Sequence, residues 1–251
     1  MGDITMTETP WNTKAKEYGT SEIGAHSDAH LVELENEFIE RHLKRIQPEN
    51  ILDVGCGNGQ RTKRWEKYAG NCVIGIDSSN EMIKLATELT TRKLRFANFD
   101  IRDIEQFDKD NLYDCIISAR CLINLPTERD QINAIDLIYD ALKPGGYFIC
   151  CEGREMGTQK LNEMREKFGI EHIKVNALNL DLSGNVISHT WNKFDDIEEN
   201  TLGLYYFITR VLTQIKTMDL NEAAKRLQLE YGDELGICAL GRHFCFCGRK
   251  E

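Results

Sequence analysis

The 251-residue sequence predicts a doubly wound α/β fold around a mostly parallel sheet. Three observations point there. Short apolar runs alternate with amphipathic helical segments from residue 51 to residue 152, the pattern of consecutive βα units. The first run opens into a loop with glycine at three alternate positions, and a helical segment starts directly behind it. A periodic helical stretch precedes this block, and a less regular stretch follows it.

Residues 1–30 are polar and weakly periodic, with Trp11 and Tyr18 as isolated aromatics. From 30 to 46, Leu31, Leu34, Phe38, Ile39 and Leu43 recur at helical spacing while acids punctuate the other face, so a helix is expected there, ended by Pro48. Five apolar runs follow, at 51–55, 72–77, 94–100, 113–118 and 146–152. Their length, and the helical segments at 60–69, 79–90 and 129–142, mark them as parallel strands covered on both faces. Lys143-Pro144-Gly145-Gly146 closes the last of these helices and reads as turn chemistry, not as a ligand contact. Beyond Glu152 the expectation is a helix at 158–168, a stretch running to Trp191, a short strand at 194–199, a helix-like region at 203–228 and an alternating strand at 242–250. Those two strands bring the sheet to seven. The chain divides into an N-terminal lid and helix (1–48), a core holding the glycine loop (49–152), and a C-terminal part (153–251) with a substrate-side insertion and the closing strands.

Composition removes several classes of function. The chain has 31 Lys and Arg against 41 Asp and Glu, a formal net charge of −10. So acidic a surface repels phosphate backbones and anionic membranes, and no Lys/Arg block interrupts it, so nucleic acid is not an expected partner. An apolar fraction of 41% suffices for a sizeable core, and mean hydropathy is −0.44. No run approaches the roughly 18 to 20 apolar residues of a membrane span. Met1–Lys14 lacks the basic start and apolar stretch of an export signal, and Met6 stands where a myristoylation start requires Ser or Thr. A cytoplasmic setting is therefore expected. Nine cysteines are present, but no two form a C-x-x-C pair. They read as small buried apolar residues of a reducing compartment, and no metal site is expected.

The most informative segment runs from Ile51 to Gln60, where Gly55, Gly57 and Gly59 follow an apolar strand. Glycine there lets a ligand lie against the main chain. A dinucleotide fingerprint would put its third glycine at position 60, but Gln60 stands there. Asp53, two residues before the first glycine, would repel a pyrophosphate and attract an ammonium group. Asp77 ends the next run, where a carboxylate can accept two hydrogen bonds from a ribose diol. Asp100 ends the third run, where it can accept from an exocyclic adenine amine while Ile101 covers the ring. Taken singly, each acid also fits a helix cap or a turn.

Together these residues resemble the class I S-adenosylmethionine-dependent methyltransferases over about residues 50–152. A fourth element of that family appears as Tyr113–Leu125 (YDCIISARCLINL), followed by a helix and Leu142-Lys143-Pro144-Gly145-Gly146. The resemblance implies a Rossmann-like methyltransferase fold with S-adenosylmethionine as cofactor. It assigns Asp53, Gly55, Gly57 and Gly59 to the methionine half, Asp77 with Ser78 and Met82 to the ribose, and Asp100 with Ile101 to adenine. Arg120 joins this cofactor set from the fourth motif.

Methyl transfer from a sulfonium needs alignment and exclusion of water, and it needs a base only when the acceptor is a hydroxyl or a protonated amine. Acceptor residues are expected in three regions. The first is the N-terminal segment with Tyr18, His26 and Asp28. The second is the loop after the fourth strand with Arg120 and Asn124. The third is the insertion, where Tyr206 and Arg210 share a helical face with Tyr205 beside them. His26, Arg120 and Tyr206 are the catalytic candidates, while His189 and Trp191 lie in a polar stretch and are weaker. Arg120 has an alternative partner in Asp114.

The insertion and the Ser118–Pro126 loop are similar to small-molecule methyltransferases of bacterial surface-polysaccharide and natural-product clusters. That likeness implies O-methylation of a sugar, nucleotide-linked or phosphorylated acceptor, and the two arginines suit an anionic one. The alternatives are an N-methyltransferase of a small metabolite, an NAD-type dehydrogenase, and a binding module without catalysis. A base-methylating enzyme is disfavoured by Ser118-Ala119-Arg120-Cys121 where an N/D-P-P-Y motif would stand.

Overall fold

A computed structural model of the chain describes residues 10–21, 28–107, 113–167, 169–212, 220–231 and 241–250. Helices α1 (Pro10–Tyr18) and α2 (Ala29–Ile46) lead into β1 (Asn50–Val54). Then follow α3 (Gln60–Trp65), β2 (Cys72–Asp77), α4 (Asn80–Thr87), β3 (Leu94–Asn98), the single-turn α5 (Ile104–Phe107), β4 (Tyr113–Ala119), α6 (Glu128–Ala141) and β5 (Leu142–Gly153). The last part comprises α7 (Glu155–Lys167), α8 (Gly184–Lys193), β6 (Asp195–Asn200), α9 (Gly203–Arg210), α10 (Leu220–Tyr231) and β7 (His243–Arg249). The strands form one sheet in the order β3-β2-β1-β4-β5-β7-β6, parallel from β3 to β5, with β7 antiparallel to both neighbours. This is the expected seven-stranded, mostly parallel, doubly wound fold.

Period-two alternation divides each strand between two cores. Ile51, Cys115, Ile117, Ile149, Cys151, Cys245 and Cys247 face α2, Trp65 and α9 on one side. Leu52, Val54, Ile116, Phe148, Cys150, Phe244 and Phe246 face α6 and α8 on the other. Of the eight described cysteines, all free, six are buried, as expected of small apolar residues; Cys238 lies outside the described residues. Helix α2 is fixed at both ends. Asp28 caps its start by accepting from Leu31 N at 3.1 Å, and Gln47, at φ 51°, donates its N–H to Leu43 O at 2.9 Å.

Several elements differ from expectation. The turn expected at Lys143–Gly146 is instead the irregular start of β5, where Gly145 has φ 79° and the pairing with β4 shifts between Tyr113 and Cys115. Lys143 is tied there to Asp114 at 2.8 Å, so Asp114 is not the partner of Arg120. Helix α8 occupies part of the stretch that carried no strong helical signal. Ser183 caps it by accepting from Val186 N, and Gly184 and Asn185 in its first turn had weakened its propensity. The 203–228 region holds two helices, α9 and α10, either side of residues 213–219, which lie outside the described residues. Among the described residues no helix is long and apolar enough to cross a membrane.

Leu43 is fully buried between α2 and the sheet. Leu43→Ala is expected to lower unfolding free energy by about 2–5 kcal/mol, the range for a buried Leu truncation, as measured by urea denaturation; a change below about 0.5 kcal/mol, ordinary for a surface site, would mean that α2 is not part of the cooperative core.

Candidate active site

The carboxyl ends of β1 to β5 lie along one edge of the sheet, and antiparallel β7 begins there too, with His243 opposite Gly153. At the end of β1 the chain folds back over β2, and the N–H groups of Gly55 and Cys56 both donate to Ile76 O, at 2.8 and 3.0 Å. Gly57 and Gly59 have φ of 56° and 76°, values that only glycine adopts without strain. Their surroundings differ. A Cβ on Gly59 would lie 2.7 Å from the Phe96 ring, whereas a Cβ on Gly57 would meet nothing within 4 Å. Gly59 is therefore required by packing, and Gly57 faces the open side of the loop.

Asp77 joins that loop to β2. Its two carboxylate oxygens accept from Gly57 N at 2.9 Å and Ser79 N at 2.8 Å. Burial raises its pKa, the two N–H groups oppose that, and Asp100 adds to the rise. Ser79 caps α4 by accepting from Met82 N, and its hydroxyl donates to Asn12 of α1 at 2.7 Å. Ser78 is exposed beside Asp77, and Met82 is buried. Asp100 caps the turn at Ile101 and is bridged by the Arg102 guanidinium at 2.7 and 3.0 Å, which holds its carboxyl below the usual range. Ile101 is buried under that turn. Asp53 is only 2% exposed and accepts from the Thr62 hydroxyl at 2.6 Å. Burial lifts its pKa to about 7, against the pull of Thr62 and Arg61. Asp53 thus sits beneath the glycine loop, not on its open side.

The loop after β4 packs directly on the glycine loop, for a Cβ on Gly55 would come within 2.5 Å of Cys121 Cβ. Arg120, at φ 64°, turns its guanidinium inward onto Glu35 of α2, with Nε at 2.9 Å and Nη2 at 2.7 Å from one oxygen. Arg61, in the first turn of α3, reaches the other Glu35 oxygen at 3.2 Å. His243 Nε2 stands 3.5 Å from Glu35, and its Nδ1 is hydrogen-bonded to the Tyr206 hydroxyl. Glu152, wholly buried at the end of β5, accepts from the Ser118 hydroxyl and from the N–H groups of Cys121, Leu122 and Ile123.

Tyr206 and Arg210 share a face as expected, the guanidinium lying 5.6 Å from the ring centre. Arg210 and the Tyr205 hydroxyl both close on Asp28, each at 2.6 Å, so neither is a free acceptor-binding group. Asn124 donates to Arg120 O, leaving its own Oδ1 buried without a partner. Tyr18 lies at the end of α1 with Lys14 over its ring, apart from this cluster. His26 falls outside the described residues. His189 pairs with Asp136 on α6, and Trp191 is exposed.

Sequence reasoning missed Glu35, Arg61, Glu152 and His243. A signal was present for three of them. Glu35 interrupts the apolar stripe of Leu31, Leu34 and Phe38; Glu152 continues the inward face of Phe148 and Cys150; His243 continues that of Cys245 and Cys247. An ionisable group on a core-facing stripe needs a buried partner.

A family model described as a methyltransferase domain matches residues 47–202. The chain is 27% identical over 157 residues to demethylmenaquinone methyltransferase of Lactiplantibacillus plantarum, covering 61% of this chain and 62% of that protein. It spans 41, 62 and 49% of the length of the first three curated relatives it matches. Among solved structures, N-methyltransferase NodS of Bradyrhizobium japonicum in complex with S-adenosyl-L-homocysteine superposes with TM-score 0.58 at 17% identity, over 96% of this chain and 97% of that one. A SAM-dependent methyltransferase of Archaeoglobus fulgidus reaches 0.61 at 16% identity, over 96 and 100%. The open face of Gly57 beside the Asp77 carboxylate fits S-adenosylmethionine, with room above the loop and an acceptor for a diol.

Asp77→Asn keeps the shape of the side chain, removes its charge and replaces one of its two N–H-accepting oxygens by a donor. S-adenosylmethionine affinity is expected to fall by about 2–3 kcal/mol, the scale of hydrogen bonds to a charged group. Calorimetric titration checks this, and unchanged affinity would remove Asp77 from the ribose site.

Proposed function

Since this chain belongs to the methyltransferase-domain family, with an S-adenosylmethionine-dependent methyltransferase domain over residues 47–202, we propose that it methylates a hydroxyl of a small, polar, anionic acceptor. Family membership sets aside the dehydrogenase alternative. The observation that carries the acceptor's charge is a pair of buried guanidinium nitrogens, on Arg120 and Arg61, with no hydrogen-bond partner. Burial and then Arg120, Arg242, Arg210 and Arg61 all push that imidazole's pKa down, while Glu35 is the carboxylate beside it. Arg120 Nη1 and Arg61 Nη2 are buried without a hydrogen-bond partner. An unmet buried donor costs roughly 1–3 kcal/mol, and more when it carries charge. A phosphate or carboxylate on the acceptor would satisfy both. Arg210 enters this reading only through the field, since Asp28 holds it.

In this reading Gly55, Gly57 and Gly59 give the cofactor its backbone bed. Asp77, with Ser78 and Met82, borders the ribose, and Asp100 with Ile101 borders adenine. Asp53 acts from below by holding Thr62 at the start of α3, and Arg120 borders the methionine end. When bound, S-adenosylmethionine supplies a methyl group already activated by its sulfonium. What remains for the chain is to align the acceptor, exclude water and remove the hydroxyl proton. Tyr18, His26 and Asn124 stay proposed acceptor contacts at the rim, and Tyr205 supports Asp28. Bacterial surface-polysaccharide biosynthesis, with a sugar, nucleotide-linked or phosphorylated acceptor, is supported by the likeness of the Tyr205–Val211 and Ser118–Pro126 segments alone.

Release of S-adenosylhomocysteine over glucose, glucose 1-phosphate, UDP-glucose and phosphoethanolamine tests the reading. The phosphorylated sugars are expected to turn over at least tenfold faster than glucose, or ~1.4 kcal/mol in the transition state. Equal rates would remove the anionic preference, and methylation of the amine alone would reverse the choice of oxygen. Among the described residues no group of three or more His, Cys, Asp or Glu is arranged to hold a metal. Turnover is expected to survive exhaustive treatment with EDTA; loss that magnesium restores would show a metal-dependent enzyme.

A further inference from the structure

We propose that Tyr206, His243 and Glu35 form a proton relay that takes the hydroxyl proton of the acceptor, Tyr206 touching the acceptor and the other two acting through it. The inference rests on the hydroxyl reading above. Three contacts make the series. The Tyr206 hydroxyl is bonded to His243 Nδ1, His243 Nε2 faces Glu35 at 3.5 Å, and Glu35 is held by Arg120 at 2.7 and 2.9 Å. A hydroxyl, an imidazole and a carboxylate in that order let the imidazole accept a proton from one side while the carboxylate orients it from the other. The series lies at the edge where β5 ends and β7 begins, next to the loop that packs on Gly55.

A purely packing role explains these residues poorly. His243 continues the inward face of Cys245 and Cys247, where an apolar side chain would bury without any polar partner. Instead an imidazole, a phenol and a carboxylate are buried together, each 8% exposed or less. Burying such groups is unfavourable unless their hydrogen bonds and charges are met, and Glu35 Oε2 meets only the Arg61 guanidinium, at 3.2 Å.

The acceptor O–H passes its proton to the Tyr206 oxygen as the Tyr206 proton moves to His243 Nδ1. Bound S-adenosylmethionine would supply the methyl group, the acceptor oxygen taking the methyl carbon and the S–CH3 electron pair returning to sulfur. His243 is left as an imidazolium facing Glu35, and the proton then leaves to water. The charged and titratable groups facing His243 are Tyr206, Glu35, Arg61, Arg120, Arg210 and Arg242. Burial and the four arginines push the imidazole's pKa down, and Glu35 is the carboxylate placed to offset them when the ring takes the proton. Burial raises Tyr206, so it remains a phenol and a conduit.

The test uses the full chain with glucose 1-phosphate, UDP-glucose and phosphoethanolamine as probes, and calorimetric S-adenosylmethionine binding as the check on folding. Tyr206→Phe and His243→Gln are expected to lower kcat on the sugar probes at least a hundredfold with cofactor affinity within threefold. Glu35→Gln is expected to lower kcat about tenfold, roughly 1.4 kcal/mol. It should also move the acid limb of the pH profile to lower pH, because the imidazolium loses its carboxylate; a scaffold residue would leave that limb in place. Wild-type kcat in Tyr206→Phe, or an unmoved acid limb in Glu35→Gln, overturns the relay while leaving O-methylation standing. Turnover confined to phosphoethanolamine, or absent with all three probes, overturns the function reading and the relay with it.

Discussion

The buried ion pair between Glu35 and Arg120 joins α2 to the end of β4 across the edge of the sheet where the parallel strands end. Glu35 is fully buried and also meets Arg61 and His243, so one carboxylate ties together α2, α3, the loop after β4 and the start of β7. Desolvation works against both partners. Burial raises the Glu35 carboxyl, with Arg61 opposing, and lowers the Arg120 guanidinium to about 10. Such a pair adds little net stability over an apolar replacement, although removing one partner leaves a costly unpaired charge. Its consequence is therefore geometric: α2 cannot shift on the sheet without exposing or stranding a charge.

The loop carrying Arg120 is held independently. Arg120 adopts a left-handed backbone conformation that a side-chain-bearing residue rarely takes. Around it Glu152 gathers a hydroxyl and three backbone N–H groups, and Arg120 N donates to Cys151 O. These bonds, all to the end of β5, over-determine the loop and direct the guanidinium inward. At the other end of the same strands, Asp114 accepts from Asn50 N and pairs with Lys143, fixing the register between β1, β4 and β5.

Around the glycine loop the contacts are polar and fewer. Asn58 of the glycine loop donates to Gly19 O and Ser21 O, while Asn12 accepts from Ser79 beside Asp77. Helix α1 is thus attached to the glycine loop and to α4 by side-chain hydrogen bonds, with Ala15 as its buried apolar residue. The two sides of the edge are built differently. One is a buried, charged cluster under α2 and α9, and the other is a partly exposed surface that carries Gly57, Asp77 and Asp100.

What was legible in the sequence was local. Alternating strands and helices gave the sheet, because burial on two faces leaves a periodic trace in each run. The glycine loop and the acids at 53, 77 and 100 were legible because strand ends and glycine conformations are written in consecutive residues. Even the sharing of a face by Tyr206 and Arg210 followed from helical spacing. Tertiary structure decided which charges meet. Arg120 turns to Glu35, 85 positions away, and Arg210 turns to Asp28, 182 positions away, so both arginines that suggested an anion grip already have internal partners. Asp53 lies under the loop it announces. The physical reason is that a lone Glu, Arg or His carries no record of its partner: a buried charge shows that a partner must exist, and only the packing of α2, α9 and β7 on the sheet selects which one.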